Sequence, residues 1–326
     1  MSYHSIVCVK QVPDTKNITG EAMKSDGTVN RAALPAVFNP EDLHALEIAL
    51  QVRDRFGGTV TVLSMGPPKA ADVLRDCLFR GADRAILITD RRAAASDTLA
   101  TSYILSQAVR TIGTYDLVFC GRQAIDGDTA QVGPQLAEKL GIPQVTYLER
   151  FVDLSGRTAR IRRNVGNGWE VVDVRLPALV TVLDTACEPR PPAARRVMKF
   201  KHARVRAELE ALVRGAGSPS PTNSARPPRP APALAGGVAA SMRPEDVERE
   251  VERLAESLRP RGLMMEQWNL DDIQADLQWC GLSGSPTKVY RVQSIVLTKS
   301  GYTEIPATEE GVRRLIRELV VDHTLG

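Results

Sequence analysis

The residues best suited to hold a ligand stand in one stretch, Gly121-Arg122-Gln123-Ala124-Ile125-Asp126-Gly127-Asp128-Thr129-Ala130-Gln131-Val132-Gly133-Pro134. Their types fit anion binding rather than bond making. Gly121 and Gly127 let the backbone come close to a bound group. Asp128 or Thr129 is placed to cap a following helix. The first free amides of that helix, with its dipole, favour a phosphate. A plain strand-to-helix turn has the same local pattern, so the stretch alone leaves both readings open.

A site of this kind needs a strand before it and a helix after it. The apolar run 116–120 reads as a buried parallel strand, and the helical pattern after the turn stops at Leu140-Gly141 with Pro143 beyond. Further strands are expected at 5–10, 59–64, 84–89, 144–147 and 177–183. Segments 159–163 and 169–176 alternate, with Asn167-Gly168 as a hairpin turn between them. Helices are expected at 70–79 and 96–111. Another opens at Asn39-Pro40-Glu41-Asp42, where Asn39 caps, Pro40 takes the first helical position and Asp42 completes a capping box. Strands separated by helices of about 12–15 residues mark an α/β fold with a doubly wound, mostly parallel sheet. Ligands of such sheets lie beyond the carboxyl ends of the strands. The segments expected at that rim are Cys8-Val9, the Asn39 cap, Met65-Gly66 and the turn 121–132. No GxGxxG follows the first strand and no GxxxxGK[ST] occurs, so a nucleotide must use another loop, and 121–132 is the candidate.

Beyond Ala186 the character changes. Residues 187–206 are basic and interrupted by proline, and read as an exposed loop leading into a charged segment. Residues 215–240 are rich in Gly, Pro, Ser and Ala and read as a flexible insertion. Val247, Val251, Leu254 and Leu258 share one face of a helix over 244–259. A strand is expected at 290–297 and an amphipathic helix at 308–321. The long tail is expected to cross a partner's surface.

The 326 residues carry a net charge of +3, too little to argue for nucleic acid, and aromatics at 5% offer no base-stacking platform. The five cysteines are scattered without a CxxC pair, which speaks against a disulfide framework, a zinc site or an iron–sulfur cluster. No run approaches the ~18 apolar residues of a membrane span, residues 1–30 show no secretory signal pattern, and the expected location is cytoplasmic.

At several motifs the sequence resembles the β subunit of electron transfer flavoprotein. They are Val9-Lys10-Gln11-Val12-Pro13-Asp14, Asn39-Pro40, Ser64-Met65-Gly66-Pro67-Pro68, Gly81-Ala82-Asp83-Arg84, Ser96-Asp97-Thr98-Leu99-Ala100-Thr101 and the whole run 121–134. The resemblance covers about 4–206 and resumes from Trp268. The wording Asp126-Gly127-Asp128-Thr129-Ala130-Gln131-Val132-Gly133-Pro134 is similar to the bifurcating, nitrogen-fixation-associated branch. The resemblance implies a Rossmann-like nucleotide-binding fold without GxGxxG, with a long C-terminal arm. It divides the chain into an adenine-nucleotide or FAD domain (1–206), the insertion with its helix (207–262), and an arm against the α subunit (263–326). It further implies a heterodimer with an α subunit that carries one FAD.

In the bifurcating branch the β pocket holds a second FAD. That flavin takes hydride from NADH and sends electrons to ferredoxin or flavodoxin and, through the α-subunit FAD, to an acyl-CoA dehydrogenase or quinone oxidoreductase. In the classical branch the pocket holds AMP. The matching positions are Cys8, Val9, Asn39, Pro40, Glu41, Asp42, Met65, Gly66 and 121–132, with phosphate at Thr129 and the following amides. Arg122 is either an electrostatic tuner of the flavin or a solvated loop arginine. No general acid or base is required of the chain, because the flavin carries the redox chemistry. Glu188, Pro189, Arg190 and Met198 match the flanks of the family's partner-docking loop. Ala194 stands where classical members place a larger apolar residue, so the dehydrogenase partner departs from the classical one. An adenine-nucleotide-binding sensor domain with no redox role is the alternative from another class.

Overall fold

The computed structural model describes residues 2–14, 34–215, 243–287 and 304–321. Strands β1 (Tyr3–Cys8), β4 (Gly58–Met65), β5 (Arg84–Ile88), β6 (Leu117–Gly121), β7 (Gln144–Ser155), β8 (Thr158–Asn164), β9 (Trp169–Arg175), β10 (Ala178–Val182) and β11 (Glu266–Trp268) form one sheet. Its order is β11-β5-β4-β1-β6-β10-β7-β8-β9. The strands from β11 to β7 run parallel, and β8 and β9 extend the sheet antiparallel. The central strands are apolar on both faces because helices cover both.

On one face α1 (Pro40–Phe56) and α2 (Ala71–Arg80) bury Leu46, Leu50, Val73 and Leu74 against Val7, Val62 and Phe119. On the other, α3 (Thr98–Ile112) and α4 (Val132–Leu140) bury Ile104, Val109 and Leu136 against Ile6, Leu63 and Val118. The expected doubly wound sheet is the observed one. From β1 the chain winds outward through β4 to β5, then returns to β6 on β1's other side. That reversal opens a crevice between the carboxyl ends of β1 and β6.

Several local expectations are corrected. Gln11–Pro13 (β2) pairs antiparallel with Ala36–Phe38 (β3), a ribbon leading into α1. β7 runs far past 147, because its charged residues Glu149 and Asp153 lie on the antiparallel extension rather than in a loop. The segment after Cys187 holds a short helix, α5 (Ala194–Phe200), packed on α2. In it the Arg196 guanidinium donates to the carbonyls of Leu78 and Ala82 at 2.6 and 2.5 Å.

The tail does not leave the sheet at 263. β11 pairs with β5, and Leu270, Ile273 and Cys280 enter the α3 face. The apolar stripe of α7 (Pro244–Leu258) packs Val247, Val251 and Ala255 against Leu209 of α6 (Arg206–Val213). Buried Arg75 joins α2 to α6 through Glu208 at 2.8 Å. The expected flexible stretch 215–240 (apart from Gly215) and the expected strand 290–297 lie outside the described residues. α8 (Glu309–Val321) is helical as expected.

Candidate nucleotide site

At the crevice lies a cavity of about 350 Å³. Its floor is made by the ends of β1, β4 and β6 at Cys8, Leu63, Met65 and Cys120, with Leu105 of α3. One wall is the opening of α3 at Ser96, Asp97, Thr98 and Thr101. The other is the run 121–133, from which Gly121, Arg122, Gln123, Ala124, Gly127, Thr129, Ala130, Gln131, Val132 and Gly133 line the space.

The run is bent sharply. Asp128 and Ala130 both have positive φ, 47° and 52°, each costing ~1–3 kcal/mol unless its surroundings impose it. The surroundings are the N-terminus of α1. Asn39, fully buried, donates from Nδ2 to the Gln123 carbonyl at 2.9 Å and accepts from the Ile125 amide at 3.1 Å. Glu41 accepts from the Gln123 amide at 2.7 Å and from the Arg122 guanidinium at 2.6 Å. Asp42 accepts from the amides of Gly121 and Lys10, each at 2.9 Å. Burial pushes the Asp42 carboxyl up to about 7, against the hydrogen bonds from Gly121, Asn39 and Lys10 and the Lys10 charge. Lys10 Nζ reaches Asp126 at 2.7 and 2.8 Å, fastening the tip of the run to the end of β1. Any Cβ on Gly121 would stand 2.5 Å from Asp42 Oδ1, so only glycine admits this approach of α1 to β6.

These contacts correct the expected capping. Asn39 makes no side-chain cap bond on α1, and its own amide bonds the Lys10 carbonyl, so there is no capping box. Neither Asp128 nor Thr129 caps α4, which begins at Val132 after Gln131, without a side-chain cap. Asp128 instead accepts from Gln123 Nε2 at 3.0 Å, and Gln131 accepts from the Thr98 hydroxyl at 2.8 Å. Val132 and Gly133, in the first turn of α4, line the cavity, their amides have no intrahelical acceptor, and Pro134 has no N–H to satisfy. The N-terminus of α3 is already occupied: Asp97 accepts from Ala100 and Thr287 amides at 3.0 Å each.

Cys8, Val9, Asp42, Met65 and most of 121–132 thus meet at one cavity, whereas Asn39, Pro40, Glu41, Ile125, Asp126 and Asp128 do not line it. Gly66 lines a neighbouring hollow. Sequence reasoning missed Lys10, Leu63, Ser96, Asp97, Thr98, Thr101, Leu105, Cys120 and Gly133 as lining residues. The capped helix start at 96–98 was the available signal. Of the docking residues, Glu188, Ala194 and Met198 are exposed. Arg190 is clamped by Glu47 at 2.8 Å and Asp54 at 2.9 Å.

An apolar floor, hydroxyls at Thr98 and Thr129, unclaimed amides at a helix start and Lys10 nearby fit an adenine nucleotide: base on the floor, phosphate at α4. Fold and site together define an α/β protein with a mostly parallel, doubly wound sheet and a cavity at its switch point. Residues 26–208 match the electron transfer flavoprotein domain family. The chain is 49% identical over 208 residues to Protein FixA of Azorhizobium caulinodans, covering 62% of this chain and 73% of that protein. It is 50% identical over 185 residues to the electron transfer flavoprotein subunit beta of Clostridium acetobutylicum, covering 57% and 70%. Against the subunit of the same name from Megasphaera elsdenii it is 40% identical over 267 residues, covering 78% and 97%. The chain belongs to the electron transfer flavoprotein family, as a β subunit, and membership implies an α-subunit partner.

Proposed function

We propose that the cavity holds FAD and that this chain is the β subunit of a bifurcating electron transfer flavoprotein, working in the cytoplasm. The observation that carries the reading is the strained, clamped run 121–131 over a cavity at the β1/β6 switch point. Bound there, FAD would supply hydride acceptance from NADH and electron transfer to ferredoxin or flavodoxin and, through the α-subunit FAD, to an acyl-CoA dehydrogenase or quinone oxidoreductase. The chain's own residues bind and orient. Val132 and Gly133 amides with the Thr129 hydroxyl hold phosphate, Leu63 and Met65 pack the base, and the Asn39–Asp42 clamp keeps the wall in place. A Cβ on Gly127 would meet nothing within 4 Å, so the chain leaves the cavity open on that side for a longer ligand. The high identity to FixA supports the same branch.

One observation favours AMP instead: 350 Å³ lies at the low end of the ~300–1,000 Å³ range of ligand pockets. FAD and AMP content per heterodimer, assayed in one denatured extract, separates the two. Two FAD and no AMP supports bifurcation, while one FAD with one AMP leaves a single-flavin carrier.

For the α-subunit contact we propose α8, whose Val312, Ile316 and Val320 repeat at four-residue spacing and are each about half exposed. Ending the chain at residue 303 is expected to abolish co-purification with the α subunit. Undiminished co-purification excludes α8 as the contact.

A further inference from the structure

The cavity floor holds two thiols side by side. β1 and β6 are parallel neighbours with Val7 opposite Phe119, so the next residues, Cys8 and Cys120, face each other from one side of the sheet. Both line the cavity and both are free. Adjacent strands run ~4.7–4.9 Å apart, inside the ~4.4–6.8 Å between the Cα atoms of a disulfide. The neighbouring Cys8 thiol and burial together hold the Cys120 thiol well above its ordinary range. The other cysteines have no such neighbour among the described residues. Cys77 lies in the core on the opposite face, Cys187 beside His44, and Cys280 in the tail.

We propose that Cys8 and Cys120 are a redox-active dithiol, cross-linked by hydrogen peroxide when the cavity is empty and shielded when it is filled. The thiolate of one cysteine attacks a peroxide oxygen, the O–O bond breaks, and the departing hydroxide takes a proton to become water. The sulfenic acid so formed is attacked by the second sulfur. Its S–O bond breaks, the S–S bond forms, and a second water leaves with the remaining thiol proton. Two thiols give up two electrons and one peroxide takes them. Because the attacking form is the thiolate, the step is slow at neutral pH and accelerates as pH rises. The cross-link ties the ends of β1 and β6 together under the base, so the oxidised chain loses its nucleotide. Only this last consequence and the shielding rest on the nucleotide reading.

The test uses the full chain in complex with its α subunit, stripped of nucleotide and treated with hydrogen peroxide. Free thiols are then alkylated and the chain is mapped without reductant. The expected product is a single linked pair of peptides, one with Cys8 and one with Cys120, lighter by two hydrogens and separated by dithiothreitol. FAD or AMP at roughly ten times its Kd leaves about a tenth of the sites open, so cross-linking slows about tenfold. Cys8→Ser or Cys120→Ser stops the reaction at an oxidised single thiol. Full alkylation of both cysteines after peroxide, or their separate oxidation without a link, overturns the proposal. A link that forms at one rate with or without nucleotide supports the dithiol and overturns the placing of the base on that floor.

Discussion

The switch-point rim and the antiparallel extension β7–β9 are both dense in polar side chains, and they use them in opposite ways. At the rim Asn39, Glu41 and Asp42 are buried and aim at backbone groups of the run that begins at Gly121, 79 to 86 residues away in sequence. In the extension Arg160 meets Asp173 at 2.8 Å with 55% and 48% of the side chains exposed. The cause is the ladder. Antiparallel β8 and β9 pair at every position from Thr158–Arg175 to Asn164–Trp169, so a pair such as Arg160–Asp173 has no unpaired backbone beside it to satisfy. Parallel strands stop together at the rim, and the chain beyond them must find hydrogen bonds from the neighbouring helix. One arrangement holds a strained loop in place, and the other decorates a surface.

The contrast breaks most visibly at Asn39. Asn39→Ala leaves the Gln123 carbonyl and Ile125 amide unpaired beneath the loop. At ~1–3 kcal/mol for each buried group, the loss is about 2–6 kcal/mol, read as a lower denaturant midpoint. Nucleotide retention falls with it, because the positive-φ residues lose what imposes them. Asn39→Asp keeps the acceptor for Ile125 and recovers part of both. An alanine variant with unchanged stability and retention would show that the clamp does not hold the loop.

Packing behind the loop comes next. A Cβ on Gly133 would stand 2.7 Å from Thr181 Cγ2, so Gly133→Ala pushes α4 off β10 at about 1–3 kcal/mol. Thr181→Ser removes that methyl while keeping the hydroxyl that accepts from the Tyr147 amide at 3.1 Å. The double variant is therefore expected to be more stable than Gly133→Ala alone. If Thr181→Ser gives no rescue, the contact is not what the glycine avoids.

What the sequence revealed follows from where each signal resides. Core strands and helices are written in local periodicity, and their order was legible, as was the gathering of Cys8, Met65 and 121–132 at one rim. The capping assignments for Asn39, Asp42, Asp128 and Thr129 missed: Asn39 and Asp42 answer to partners far along the chain that no local pattern encodes, Asp128 turns back to Gln123, and α4 starts only at Val132, beyond Thr129. β11 was missed as only three residues long. The tail was expected on a partner, yet Ser285 accepts from the Asp97 amide at 2.8 Å and the segment closes on α3.

Asp42 sharpens the comparison through pH. Its folded carboxyl titrates near 7, burial being the main cause, against ~3.9 unfolded. Below about pH 4 both states hold the proton, and above about 7 neither does. In between, the folded chain holds a proton that the unfolded chain lacks. Stability therefore falls as pH rises, by up to about 1.4 kcal/mol per unit. Asp42→Asn is expected to remove that slope. A wild-type slope that is flat from pH 4 to 7 refutes the buried, protonated carboxyl.

The smallest effect belongs to the extension. A double-mutant cycle on Arg160→Ala and Asp173→Ala is expected to give a coupling of about 0.2–1 kcal/mol, shrinking in high salt, because both ends stay hydrated and pay side-chain entropy to meet. The same cycle on Glu41→Gln and Arg122→Ala is expected to couple more strongly. Glu41 is buried and also accepts a backbone amide, so the Arg122 charge acts on a carboxylate that water reaches poorly. Equal couplings at the two sites would mean that burial does not separate rim from extension, and that the 2.6 Å bond between Arg122 and Glu41 is one more solvated pair.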